Sequence, residues 1–205
     1  MHSDLDPAAL QLKITIEGIE PPIWRLLLVP RDLNFAQLHE VIQAAFGWTD
    51  SHLHRLIVGG LVIGASEFDE DGLNDHRTLE ATEIILRDLV IDYLEPLRIL
   101  YEYDFGDGWR HVIEIERSPA PDTSVSFPVC VDGARHRPPE DVGGPHGYAE
   151  FLKAWHDKTN EEHKAMRRWA GRSFAPEKFD RDKTTQDITR ALRRCRGAYR
   201  FRLMG

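Results

Sequence analysis

The first third of the chain alternates apolar and polar residues in short runs and then changes to a helical spacing. Every second residue from 10 to 16 is apolar, and residues 23–29, which are apolar except for Arg25, are bounded by two prolines. Both patterns are typical of β-strands. Asn34 then lies three residues before Gln37, and apolar residues recur at helical spacing up to Gly47. We therefore predict a hairpin followed by a capped helix that ends at Gly47.

A second hairpin is predicted in the middle of the chain. Apolar or aromatic residues alternate through residues 97–105 and again through residues 109–115. A three-residue loop over 106–108 keeps the two apolar faces aligned, whereas a two-residue turn would put them out of step. The pattern therefore predicts a register that places Tyr103 opposite His111.

The other segments give shorter or more irregular patterns. In chain order they predict strands over 52–58 and 61–63, an exposed acidic loop over 67–77, a short helix within 82–94, an edge strand over 125–131 and an irregular segment over 135–145. Three helices follow. The first carries Tyr148 and Trp155, the second runs from a Thr159 cap to Gly171, and the third covers about 184–194. Strands dominate the first two thirds and helices the last third. The expected class is α+β, with a mainly antiparallel sheet packed against helices.

Length and composition describe an ordinary globular protein. A chain of 205 residues with 41% hydrophobic and 29% charged residues can bury one core, which excludes fibrous and wholly disordered classes. We expect a single domain over 1–205, with a core at about 10–192. No apolar run approaches the ~20 residues of a membrane span. The first residues lack a secretion signal, and two cysteines cannot form a disulfide framework, so a cytoplasmic protein with no membrane partner is expected.

The charge is distributed unevenly along the chain. The net charge is −8, yet residues 181–205 carry +6, which leaves −14 on the rest. A basic tail on an acidic body most often lies against that body or remains solvated, and less often binds nucleic acid. We therefore expect no nucleic-acid partner, except through the tail at 193–205.

Several residues could together hold a divalent metal ion such as zinc. His52 and His54 point to one face of their predicted strand, about 7 Å apart at Cα, where two imidazoles can share an ion. His111 falls on the apolar face of its strand, and Cys130 precedes the proline-rich segment. Each also has a structural explanation: a polar strip for the paired histidines, a hydrogen-bonded core histidine, and a small buried cysteine.

Three carboxylates are candidates for the same site. Asp104 ends a strand whose other face is apolar, so its side chain must face solvent, a cleft or a cation. Glu140 and Asp141 follow two prolines that stiffen the backbone, and rigid loops hold functional groups well. Either of these two could be a general base, or could instead cap a helix or pair with the arginines of the tail. We predict that residues 138–144 fold back over the second hairpin and bring at least one of the three carboxylates within hydrogen-bonding reach of His111 or of one of the paired histidines.

The motifs of the chain resemble those of the plasmid pRiA4b ORF-3-like family. The resemblance is carried by Ile-Trp-Arg at 23–25, Phe-Gly-Trp at 46–48 with His-Leu-His at 52–54, the aromatic segment 101–111, and Pro-Pro-Glu-Asp-Val-Gly-Gly at 138–144. It implies an α+β domain that is widespread in bacteria and archaea and often lies on plasmids or mobile elements, and it assigns no reaction.

Two functions remain open, and the sequence does not decide whether the protein is an enzyme. The first is a non-catalytic binding or protein-interaction module, in which an apolar groove of Trp24, Trp48, Tyr101 and Trp109 accepts a protein or peptide partner, with Tyr103, Asp104 and His111 beside it. The second is a metal-dependent hydrolase with histidine ligands and Glu140 or Asp141 as the base.

Overall fold

The computed structural model describes residues 9–64, 78–89, 97–117 and 127–202. The strands are β1 (Ala9–Ile16), β2 (Trp24–Pro30), β3 (His54–Val58), β4 (Leu61–Gly64), β5 (Thr78–Glu80), β6 (Leu97–Tyr103), β7 (Trp109–Arg117) and β8 (Val129–Ala134). The helices are α1 (Phe35–Phe46), α2 (Leu86–Leu89), α3 (Gly144–His156), α4 (His163–Trp169) and α5 (Arg181–Arg202). The acidic loop predicted at 67–77 lies outside the described residues.

The strands form one eight-stranded sheet in the order β5-β4-β3-β6-β7-β1-β2-β8. Neighbouring strands are antiparallel throughout, except that β5 runs parallel to β4. The predicted class, an α+β protein with a mainly antiparallel sheet and a helical C-terminal part, is confirmed.

Helices cover one face of the sheet, and the hydrophobic core lies between the helices and this face. The alternation seen in the sequence of β1 is the burial pattern, since Leu12 and Ile14 are fully buried while Lys13 between them is exposed. Helix α1 turns its apolar stripe toward the sheet and is capped as predicted, with reciprocal hydrogen bonds between Asn34 and Gln37. The opposite face carries charged side chains, such as the Arg98–Glu114 pair at 2.8 Å.

The predicted register of the second hairpin is wrong by two residues. Tyr103 pairs with Trp109, and Tyr101 pairs with His111, so the connection runs over five residues rather than three. The reason lies in Asp104, whose φ of 54° takes the chain out of the strand immediately after Tyr103. Its side chain then accepts hydrogen bonds from two turn amides, which the hydrophobic pattern does not reveal. Phe105, predicted on the buried face, is 46% exposed.

Other boundaries also differ from the sequence prediction. Helix α4 begins at His163, without a side-chain cap, because Thr159 bonds Asp157 in the preceding turn instead of the helix amides. Within the region predicted as a short helix, α2 has only four residues. Helix α5 begins at Arg181 and continues to Arg202, so the backbone of the predicted tail from residue 193 extends this helix through the described part.

Arg25 connects three segments from inside the core. Its side chain is 3% exposed and donates to the main-chain carbonyls of Ala45 (3.0 Å), Ala134 (2.9 Å) and Arg135 (2.9 Å). These carbonyls belong to the end of α1, the end of β8 and the segment after it. Burial lowers the pKa of Arg25 to about 10. The guanidinium therefore stabilises the fold by donating hydrogen bonds to buried carbonyl groups rather than by pairing with a carboxylate.

None of the helices within the described residues combines the length and the apolar composition needed to span a membrane.

Candidate functional site

Two connecting segments meet around Tyr103, the last residue of β6. Ser51, in the connection from α1 to β3, donates its backbone amide to the Tyr103 hydroxyl at 3.2 Å. The hydroxyl also lies 3.5 Å from Glu140, which belongs to the stiff segment before α3. Glu140 in turn accepts hydrogen bonds from the backbone amide and the hydroxyl of Thr49, both at 2.9 Å. The junction is therefore held together by polar contacts from three separate parts of the chain.

A histidine and two aspartates converge at this junction. His52 Nε2 lies 3.2 Å from Asp141 Oδ1 and 3.6 Å from Asp104 Oδ2. One ligand-type atom from each of these residues lies within 4.8 Å of the others. We call this set the His52 cluster.

The spacing of the His52 cluster suits a bound cation. A metal ion about 2.1 Å from each donor separates adjacent donors by about 3.0 Å in octahedral and about 3.4 Å in tetrahedral geometry. The observed separations of 3.2 and 3.6 Å are close to this range. His52 Nε2 is also shielded from solvent, and among the described residues it has no hydrogen-bond partner, although both carboxylates are near. A nitrogen close to two carboxylates but aligned with neither is suited to metal ligation.

The two aspartates of the cluster have unusual backbone conformations. Asp104 has φ of 54° and Asp141 has φ of 56°, both in the left-handed region. Aspartate tolerates this region better than most residues because its short side chain can bond nearby amides. Asp104 does so through Oδ1, which accepts from Gly106 and Asp107 and leaves Oδ2 directed to His52. Such conformations are frequent at functional sites, where surrounding structure enforces them.

The segment before α3 folds over the hairpin turn, as predicted for residues 138–144. Gly143 donates its amide to Asp107 Oδ2 at 3.0 Å. At Gly144, an added Cβ would lie 2.2 Å from the carbonyl oxygen of Asp107, so only glycine permits this approach. The prediction that the segment would bring a carboxylate to one of the paired histidines is confirmed by the contact between Asp141 and His52.

His54 does not join His52 but belongs to a second group, with His39 and Asp50. The two histidines were predicted to share one ion, yet β3 begins only at His54, and His52 lies in the preceding connection. The His54 ring instead stacks on His39, with centroids 3.5 Å apart. Burial, followed by the charge of His39, lowers the pKa of His54 to about 4.

The second group is closed by its own hydrogen bonds. Asp50 donates its amide to Gln43, whose side-chain amide donates to the Tyr101 hydroxyl at 2.8 Å. That hydroxyl bonds His39 Nδ1 at 2.9 Å, and His39 Nε2 bonds Asp50 Oδ1 at 3.0 Å. The bond to His39 lowers the pKa of Asp50. We call this closed set of hydrogen bonds among His39, Gln43, Asp50 and Tyr101 the hydrogen-bonded ring. Because both nitrogens of His39 already have partners, the hydrogen-bonded ring is a structural connection and offers no free histidine ligand.

Most of the aromatic residues predicted to line a groove are core residues instead. Tyr101, Tyr103 and Trp109 are fully buried and Trp48 is 6% exposed, so these side chains form no open groove. The indole of Trp48 donates to His111 Nε2 at 3.1 Å. His111 is itself fully buried, and desolvation lowers its pKa to about 3, so it is a neutral core histidine. Its accepting nitrogen is occupied by the indole and is not available to a metal.

Cys130 and Trp24 lie toward the other edge of the sheet. Cys130 is in β8, five strand spacings from β3, or about 24 Å. Its backbone amide donates to Thr185, and burial raises the pKa of its thiol to about 11. Trp24 is half-buried in the neighbouring strand β2. Neither residue can join the His52 cluster, because the order of the strands separates them from it.

Sequence reasoning missed His39, Gln43 and Asp50 of the hydrogen-bonded ring. His39 lies four residues after Phe35 on α1, and Gln43 lies four residues after His39, so the three share one helix face. A polar i, i+4 pair that continues an apolar stripe was the available signal.

Comparison with known proteins agrees with this architecture. Residues 8–183 match the family described as plasmid pRiA4b ORF-3-like protein. The chain belongs to this family. A relative in the plasmid pRiA4b ORF-3-like family, the uncharacterized protein y4hQ of Sinorhizobium fredii, is 38% identical over 167 residues, which are 81% of this chain and 82% of the relative. The crystal structure of a protein of unknown function, MM3350 from Methanosarcina mazei Go1, is similar with a TM-score of 0.75 and 34% identity, covering 85% of this chain and 95% of the other.

Proposed function

We propose that the protein is a binding module that holds a divalent cation between His52, Asp104 and Asp141. The observation that supports this proposal is the solvent-shielded nitrogen of His52, which lies between two carboxylates and bonds neither of them. Two further atoms around Tyr103, Trp109 Nε1 and Glu140 Oε2, are buried and have no hydrogen-bond partner among the described residues. Buried polar groups are rarely left without a partner, and a water ligand of the ion could donate a hydrogen bond to Glu140 Oε2.

The ligand types favour a transition metal over calcium or magnesium. One imidazole and two carboxylates suit zinc, manganese or ferrous iron, whereas calcium and magnesium prefer oxygen ligands alone. Three protein ligands leave at least one coordination position open. That position can accept a donor group from a bound partner.

The surroundings of the cluster favour binding over catalysis. Leu53 is 55% exposed and Phe105 is 46% exposed, and the two flank the cluster, since the amide of Asp104 donates to the carbonyl of Leu53. Exposed apolar side chains beside a polar centre are typical of interaction surfaces. Glu140, one of the two candidates for a general base beside Asp141, already accepts two hydrogen bonds from Thr49. Its position supports a role in holding the junction together.

A metal-dependent hydrolase remains the second candidate because the open coordination position could hold a water molecule. The two functions differ in turnover. Zinc-loaded protein is incubated with p-nitrophenyl acetate and p-nitrophenyl phosphate, and release of p-nitrophenol is followed. If hydrolysis requires the metal and is lost in both His52→Gln and Glu140→Gln, the protein is a metal-dependent hydrolase and the proposal of a binding module is wrong.

Calorimetric titration of the metal-free full-length protein with zinc or manganese chloride tests the cation site. We expect one ion per chain, with affinity reduced by about 10- to 100-fold or more in His52→Gln. The matched control is His54→Gln, which removes a histidine two positions away and should leave affinity within about twofold. Asp104→Asn keeps an oxygen for the turn amides and should also weaken binding. Equal affinity in wild type and His52→Gln would refute the site.

A further inference from the structure

A groove of about 310 Å³ lies between α3 and α4, and Asp141 is also one of its lining residues. Its apolar lining comes from the segment before α3 and from both helices, and consists of Val142, Phe151, Ala154, Met166 and Trp169. This volume is at the lower end for binding pockets, about 300–1,000 Å³, and suits one large side chain better than an extended cofactor.

Trp169 exposes an unusual amount of apolar surface at this groove. It is 50% exposed, and its ring contacts the buried Phe151 edge-on at 5.8 Å. Tryptophan is usually highly buried. In the described residues, the other large apolar side chains that are more than one third exposed are Leu53, Phe105 and Val131. A half-covered tryptophan over an apolar floor is typical of the anchor points of protein interfaces.

The rim of the groove is acidic. Three carboxylates line it, from Asp141, Glu150 and Glu162, and its lining contains no lysine or arginine. Among the basic residues of α3 and α4, Lys153 pairs with the rim carboxylate of Glu150 at 2.6 Å, and the Arg167 guanidinium lies over the Trp155 ring at 4.1 Å. Neither of these two basic residues belongs to the lining of the groove. An occupant must therefore be apolar at its centre and positively charged at its ends.

We propose that this groove binds a segment of a partner protein in which one large apolar side chain is flanked by lysine or arginine residues. The apolar side chain packs on Phe151 and Trp169. One flanking cation meets Glu162, and the other competes with Lys153 for Glu150. This proposal is separate from the cation site, with which the groove shares only Asp141.

The test uses the full-length chain and a fluorescein-labelled decapeptide that has one central leucine between two pairs of arginines. Binding is measured by fluorescence anisotropy in buffer containing EDTA, so that failure of the cation site cannot affect the outcome. We expect saturable binding that weakens as salt rises. A peptide with serine in place of leucine, and one with glutamates in place of arginines, should each bind at least about tenfold more weakly.

A matched pair of charge reversals locates the site. Glu162→Lys changes the rim of the groove, whereas Glu161→Lys makes the same change at the adjacent exposed glutamate, which does not line it. We expect about tenfold weaker binding for the first and less than a twofold change for the second. Trp169→Ala should weaken binding at least as much as Glu162→Lys, with circular dichroism as the check on folding.

Three results would overturn the proposal. The first is absence of saturable peptide binding by the folded wild-type protein. The second is an equal loss in Glu161→Lys and Glu162→Lys, which would indicate a general charge effect. The third is a dimer, detected by light scattering after gel filtration, that dissociates on addition of the peptide, because it would assign the groove to a second copy of the chain.

Discussion

Replacing Arg25 with methionine should destabilise the protein severely, although no residue of the cation site changes. The Arg25 side chain donates hydrogen bonds to three backbone carbonyls from distant segments, those of Ala45, Ala134 and Arg135. All three carbonyls would lose this donor. Each buried acceptor left unfilled costs about 1–3 kcal/mol. Some relaxation and water entry will offset the largest values, so we expect a loss of about 4 kcal/mol in the free energy of unfolding.

This loss is large enough for an unambiguous assay. For a domain of about 200 residues, 1 kcal/mol corresponds to about 2–4 °C in Tm, so Arg25→Met should unfold about 8–16 °C below wild type. Arg25→Lys keeps the charge but cannot reach three separate carbonyls with the same planar geometry, and should be destabilised nearly as much. Urea titration followed by circular dichroism measures each free energy directly.

The control is Arg98→Met, on the open face of the sheet. Arg98 is 74% exposed and pairs with Glu114, and exposed ion pairs contribute about 0–1 kcal/mol. A folded Arg25→Met protein within about 1 kcal/mol of wild type would refute the argument that the buried guanidinium holds the end of α1 against β8.

Three further outcomes follow from the same structure. Tyr101→Phe removes the hydroxyl that joins two partners in the hydrogen-bonded ring, and urea titration should show a loss of about 1–3 kcal/mol; an unchanged midpoint would contradict the ring. The folded pKa of His111, about 3, lies below its ordinary value of 6.5, so the unfolded chain binds a proton that the folded chain excludes. Stability should therefore fall as pH drops below 6.5, by up to about 1.4 kcal/mol per pH unit from this residue, and stability that is equal at pH 7 and pH 5 would contradict its burial in the neutral form. Gly144→Ala places a Cβ 2.2 Å from the Asp107 carbonyl oxygen and should weaken zinc binding in calorimetry by moving the segment that carries Asp141, whereas wild-type affinity would show that this close approach is not required.

Strand and helix positions could be predicted because burial in this fold follows local periodicity. The alternation in β1 and the apolar stripe of α1 appear directly in the sequence, and the capping pair Asn34 and Gln37 fixes where the helix begins. The hairpin register could not be predicted in the same way. Shifting the pairing by two residues leaves every side chain on the same face, so the hydrophobic pattern cannot distinguish the two registers, and the backbone conformation of Asp104 decides between them.

The candidate site could be predicted only in part, because it depends on contacts between distant segments. The stiff segment around Asp141 was correctly placed against the hairpin, since adjacent prolines and glycines indicated a rigid loop. The separation of His52 from His54 depends on where β3 begins, and the distance of Cys130 depends on the order of the strands. Neither property is encoded in local spacing.

The aspartates with left-handed backbone conformations restrict which substitutions the site can accept during evolution. Asp50, Asp104 and Asp141 all have φ between 53° and 56°, and each is the carboxylate member of one of the two histidine groups. Glutamate would preserve the charge at these positions but not the backbone preference, whereas asparagine or glycine would preserve the backbone and lose the charge. In a library of all substitutions, tolerance of glycine would therefore identify a position kept for its turn, and selection for aspartate alone would identify a position kept for its oxygen atoms.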